Sequence, residues 1–179
     1  QLPPQTQMVD EWMTGAFHGP NMLDPRLQTV GFGTYQDLTA PGYKSATALN
    51  VESGINQSAT GFPVYWPGNG QTVPLTSYSM YGTEWPDART NCAGYTNPGL
   101  PISLQLGPGN VASTSNPAVS GYNPSQSSFT LNGNSVPFCE IDEFNYTNTT
   151  QTGAQSWGQQ VLHGQGTIVL LPQQPLVDG

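Results

Sequence analysis

The stretch Glu11-Trp12-Met13-Thr14-Gly15-Ala16-Phe17-His18-Gly19-Pro20-Asn21-Met22-Leu23-Asp24-Pro25, continued by Val30-Gly31-Phe32-Gly33, decides the reading of this chain. Apolar side chains at Met8, Val9, Trp12, Met13, Ala16 and Phe17 recur at the i, i+1, i+4, i+5 spacing of one helix face, which predicts a helix over 5–17. Pro3 and Pro4 suit its entry, and Gly15 and Gly19 its exit. Residues 21–25 read as a turn, and 26–35 as a strand with Val30 and Phe32 on one face. Over 44–51, Ala46 and Ala48 alternate with Thr47, Leu49 and Val51, which predicts a second strand pairing antiparallel with the first across 37–42.

Beyond Gly54 the character changes. Phe62-Pro63-Val64-Tyr65-Trp66-Pro67-Gly68-Asn69-Gly70 reads as a loop with aromatic anchors, and Leu100-Pro101-Ile102-Ser103-Leu104-Gln105-Leu106 alternates as a strand. Residues 127–131, 135–141, 157–163 and 167–171 are further strand candidates between Gly, Asn and Ser turns. With no helical period after residue 20, the expectation is a β-rich second part. The stretch 107–128, rich in Gly, Ser, Thr, Asn and Pro, reads as a long exposed loop. The fold class is therefore α+β, with segments at 1–56 and 57–179.

Three Lys+Arg against eleven Asp+Glu give a net charge of -8. Such a chain lacks the basic footprint that neutralises phosphates, so nucleic acid is excluded as a partner, and an anionic membrane surface with it. The longest apolar run, Ile168-Val169-Leu170-Leu171, is far too short to span a bilayer. The Thr, Ser, Gln, Asn, Gly and Pro that fill the rest are the vocabulary of extracellular proteins with long turns. In that context Cys92 and Cys139 read as a disulfide, the alternative being two unrelated buried thiols. Closing a loop of that length stabilises by about 4 kcal/mol in the chain-entropy picture. Asn56-Gln57-Ser58, Asn145-Tyr146-Thr147 and Asn148-Thr149-Thr150 satisfy the N-glycosylation pattern, although such triplets also arise by chance in Asn/Thr-rich chains.

The Trp-Met pair, the spaced histidine His18, the Asn21-Met22-Leu23-Asp24-Pro25 turn and the Gly-flanked Phe32 together resemble the histidine segment of the CAP superfamily (cysteine-rich secretory, antigen 5 and pathogenesis-related 1 proteins) in its bacterial exported form. The likeness covers about residues 8–35 and departs from the family at Gly19, where an Arg usually follows the histidine. It implies a partial CAP-like α/β/α sandwich with His18 pointing into a cleft. In the family that cleft is completed by a second histidine and two acidic residues from helices upstream, so the resemblance implies the rear half of the domain. Glu84-Trp85-Pro86-Asp87, the 99–102 strand entry and the closing 169–176 segment look like the extension that follows the fold in some exported proteins.

Chemistry-bearing residues are few. His18 is the family's cleft position, set against a plain structural histidine at a helix end, and His163 reads as structural. No activated-serine context is present. Glu140 and Asp142 fall on one strand face and offer hard oxygen ligands, the competing account being a solvated strand edge. Tyr65, Trp66, Tyr78, Tyr81, Trp85 and Tyr95 invite a carbohydrate platform, with anchoring of long loops as the simpler account.

The leading expectation is a non-catalytic extracellular module acting in binding or as a surface structural component. It requires no cofactor, Ca²⁺ or Zn²⁺ being the ions open to it. The alternatives are a subunit of a glycosylated extracellular filament completed by neighbouring chains, and a secreted metal-dependent hydrolase using His18. An exposed apolar face along Met8, Val9 and the 30–35 strand implies another protein chain as partner, either an upstream half or identical copies.

Overall fold

The computed structural model describes residues 5–110 and 127–177. In chain order its elements are α1 (Gln5–Met13), α2 (His18–Met22), β1 (Gly31–Gln36), β2 (Ser45–Asn50), β3 (Val64–Trp66), a 3₁₀ turn (Ala88–Thr90), β4 (Ile102–Gln105), β5 (Thr130–Leu131), β6 (Asn134–Ser135), β7 (Phe138–Ile141), α3 (Ala154–Gln165) and β8 (Thr167–Pro172). Helices combine with antiparallel sheets, so the class is α+β, as the sequence predicts.

The central sheet runs β3-β4-β8-β7, every pair antiparallel. β8 occupies an inner position because Ile168, Val169 and Leu171 are β-branched or bulky and bury on both faces. β4 behaves otherwise than its pattern suggests: polar Ser103 and Gln105 are buried, while Ile102 and Leu104 are only half-covered. Gln105 donates from Nε2 to the Pro20 carbonyl at 2.5 Å, which ties α2 to the sheet. The predicted strand at 157–163 is instead the middle of α3. Its buried positions Ala154, Gly158, Leu162 and Gln165 recur at helical spacing, but two of them are a glycine and a glutamine, which hides the period. Gly158 is required by close approach, since a Cβ there would lie 2.4 Å from the Tyr146 ring.

The single long helix expected over 5–17 breaks at Thr14 into α1 and α2, and α2 reaches into the predicted turn. The core cluster takes Ala16 and Phe17 from the first expected segment, and Tyr78, Ala88, Cys92, Ile141, Tyr146, Leu162, Val169 and Leu171 from the second. The segments 1–56 and 57–179 therefore share one core. Phe17 meets Tyr146 edge to face at 4.9 Å. Trp12, at the centre of the predicted apolar face, is only half-buried. The Cys92–Cys139 disulfide is formed, joining the 3₁₀ region to β7. The predicted β1–β2 hairpin is present, with Phe32 opposite Leu49 and Thr34 opposite Thr47, and every residue of β1 is exposed. No helix among the described residues is long and apolar enough to cross a membrane. Most of the loop expected over 107–128 lies outside the described residues.

Candidate functional site

The break between α1 and α2 builds the site. Where the chain turns at Gly15, the backbone N–H groups of Ala16, Phe17 and His18 point to one spot, and the Glu84 carboxylate occupies it. Oε2 accepts from Ala16 N at 3.0 Å, and Oε1 accepts from Phe17 N and His18 N, each at 2.9 Å. The Tyr78 hydroxyl donates to Oε2, and the His18 ring meets Oε1 through Nδ1 at 2.6 Å. Glu84 is 0% exposed, so this buried charge is compensated entirely by donors converging on it. Tyr78 stays protonated: burial, reinforced by the Glu84 charge, pushes its phenol well above the ordinary range. Gly15 is needed for this approach, because a Cβ there would sit 2.6 Å from Glu84 Oε1, an oxygen too tightly held to yield.

A carboxylate only accepts, so the bond from His18 places the proton on Nδ1 and leaves Nε2 as the free edge of the ring. The His18 side chain is 38% exposed. It lines a cleft of about 300 Å³ between α1–α2 and β2, with Trp12, Asn21, Met22, Thr47, Leu49 and Val51. Thr47 and Leu49 come from the hairpin face that also carries Phe32 and Thr34. Asn21 is fixed by donating to the Phe17 carbonyl at 3.0 Å and accepting from Gln165 Nε2 at 2.8 Å. The result is an oriented imidazole in a niche of mixed lining, with Trp12, Met22, Leu49 and Val51 beside the polar Asn21 and Thr47, suited to exchange a hydrogen bond with a bound molecule.

The remaining sequence candidates disperse. Asp142 is buried and turns its Oδ1 onto the N–H groups of Phe144 and Asn145, each at 2.8 Å, so it caps a turn. Glu140 lies on β7. Among the described residues no group of three or more His, Cys, Asp or Glu is placed to hold a metal ion. Asn56 and Asn145 are exposed, whereas Asn148 is buried, with Nδ2 on the Tyr146 hydroxyl and Gln151 Oε1 and with Oδ1 on the N–H groups of Thr150 and Gln151. His163 meets Glu143 through Nδ1 at 2.5 Å on the surface. Of the six aromatics, Tyr78 is core and Tyr81 and Tyr95 pack against it, Trp66 is half-buried, and Tyr65 and Trp85 are exposed.

Glu84 is the functional residue that reading by motif passes over, since it stands there only as one member of a tetrapeptide. The available signal is scarcity: a carboxylate between Tyr81 and Trp85, in a chain with few charges, is a candidate for burial. Comparison with protein-family models, curated proteins and solved structures finds no match to this chain.

Proposed function

We propose that this chain is a non-catalytic, CAP-like extracellular module that binds a ligand in the cleft around His18. The observation that carries the reading is the Glu84-held imidazole, whose free edge lines a niche with Trp12, Met22 and Leu49. Apolar walls with a few placed polar groups, here His18, Asn21 and Thr47, are the usual makeup of a small-molecule site. The residues lining the cleft include His18 as a base but neither a carboxylate nor a second histidine, which favours binding over turnover. The disulfide is compatible with export to an oxidising compartment. The likeness of residues 8–35 to the CAP histidine segment supports the family reading, with His18 at its cleft position.

A fragment screen followed by NMR of the His18 ring and the Met22 and Thr47 methyl groups tests this. Hits should shift all three together, and Thr47→Trp, which fills the cleft, should abolish them. Hits that map elsewhere, or hydrolysis of an ester or peptide that His18→Ala removes, would contradict the proposal and favour the metal-dependent hydrolase.

A second reading, a subunit of an extracellular assembly completed by neighbouring chains, is supported by Val30, Phe32 and Tyr35, which stand exposed on and beside β1. Light scattering should then find a particle larger than the 19.1 kDa chain, reduced to that size by Phe32→Ser with Tyr35→Ser. A monomer at all concentrations counts against it.

A further inference from the structure

A second cleft, of about 470 Å³, lies along α3. One wall is the helix face Trp157, Gln160, Val161, Gly164 and Gln165, spaced i, i+3, i+4, i+7 and i+8. The facing wall is Asp24, Arg26 and the stretch carrying Glu52 and Gln57. Asn21 and Val51 touch both clefts, whereas Trp157, Gln160, Gln57 and the Asp24–Arg26 pair belong to this one and not to the cleft around His18.

Its lining narrows the ligand class. Trp157 stacks on Trp85, with ring centroids 6.4 Å apart and planes inclined by 29°, and the two residues are 45% and 47% exposed. Two neighbouring indoles left in water form an apolar platform whose covering is favourable. In the polar wall the Asp24–Arg26 pair is locked and mutually compensated, and exposed Glu52 adds one further carboxylate. Arg26 donates from Nε to Asp24 Oδ1 at 2.9 Å, and from Nη2 to Asp24 Oδ2 at 2.6 Å and to the Gly164 carbonyl at 2.8 Å. The Asp24 hydrogen bond holds the guanidinium pKa above its ordinary value, so the arginine stays charged. Gln57 accepts from Arg26 through Oε1 at 3.3 Å, and Gln160 donates from Nε2 to the Ser156 carbonyl at 3.1 Å. The other amide atoms, Gln57 Nε2 and Gln160 Oε1, engage nothing among the described residues.

An anion would face a chain of net charge -8 and an arginine already committed to Asp24. A lipid tail would cover the free amide atoms of Gln57 and Gln160 with nothing to bond. A pyranose ring satisfies both halves of the lining, because its C–H face stacks on an indole and its hydroxyls both donate and accept. We propose that this cleft is a binding site for a neutral oligosaccharide, with Trp157 backed by Trp85 as the stacking platform. Gln57 and Gln160 bind its hydroxyls, while the buried Asp24–Arg26 pair holds the wall in place.

The test is calorimetric and tryptophan-fluorescence titration of the intact protein with neutral tetrasaccharides: β-1,4-glucose, β-1,3-glucose, α-mannose and β-1,4-N-acetylglucosamine. At least one should bind with a dissociation constant in the range of about 10 μM to 1 mM. Trp157→Ala should weaken it about tenfold or more, Trp157→Phe should recover part of the loss, and Gln160→Ala should weaken it about threefold. Tyr65→Ala, at an exposed aromatic outside both clefts, should leave it unchanged. The proposal is overturned if no tetramer binds at about 10 mM, if affinity survives in Trp157→Ala and Gln160→Ala proteins with normal unfolding transitions, or if tetragalacturonate binds more tightly than every neutral sugar.

Discussion

His18 meets Glu84 at 2.6 Å and His163 meets Glu143 at 2.5 Å, so by distance the two pairs are alike. Their surroundings are not. Glu84 is wholly buried and receives backbone N–H groups of three successive residues and a tyrosine hydroxyl in addition to the ring. Glu143 has no other side-chain hydrogen bond among the described residues, and its histidine is 61% exposed. In the first pair the carboxylate is a structural anchor that also orients a ring. In the second, an exposed histidine makes one contact to a carboxylate that is itself largely covered, 9% exposed, and water and salt reach that contact from the histidine side. A short histidine–carboxylate distance thus means little until the other donors to the carboxylate are counted.

The sharpest way to break this contrast is to remove each glutamate. Glu84→Ala strands the N–H groups of Ala16, Phe17 and His18 together with the Tyr78 hydroxyl, and should destabilise by about 3–5 kcal/mol in urea unfolding. Glu143→Ala should cost less than about 1 kcal/mol. Equal losses would show that the two pairs do the same work.

Crowding the anchor comes next. Gly15→Ala places a methyl against Glu84 Oε1 and should cost about 1–3 kcal/mol, with the His18 ring resonances displaced. An unperturbed His18 spectrum would mean that Glu84 has slack.

The alkaline limb of stability sharpens the contrast further. Burial pushes the Tyr146 phenol, which packs on Phe17 beside the anchor, up to about 12. In the unfolded chain a tyrosine ionises near pH 10, so its contribution is complete below about pH 10. Above that the unfolded state loses its proton first, and stability falls as pH rises through about 12. Tyr146→Phe should make this limb shallower, the raised Tyr78 phenol supplying the remainder, while Glu143→Gln leaves it intact, as read from urea midpoints across the range.

The smallest effect belongs to His163→Ala, expected within about 0.5 kcal/mol and vanishing at high salt. A salt-independent loss above about 1 kcal/mol would promote the surface pair to a structural one.

Local periodicity makes the amino-terminal half legible. The β1–β2 pairing and the disulfide are readable from local pattern and composition, whereas His18, expected past the exit of a single helix, opens α2. Convergence across distance is not: Glu84 reaches residues 16–18 from 66 to 68 positions away. α3 escapes for a different reason, since Gly158 and Gln165 occupy buried positions where an apolar side chain would have displayed the helical period. The same disguise conceals Trp157, which as a strand residue has no evident face and as a helix residue lines a cleft.

The central claim is that Glu84 fixes the tautomer of His18 and presents Nε2 to the cleft. Long-range ¹H–¹⁵N correlation spectroscopy of the two histidines measures this directly. For the neutral His18 ring we expect a protonated Nδ1 and a bare Nε2, reverting toward the mixture of a free imidazole in Glu84→Gln. A proton on Nε2 of His18 in the wild-type protein, or a tautomer indifferent to that substitution, would contradict the account.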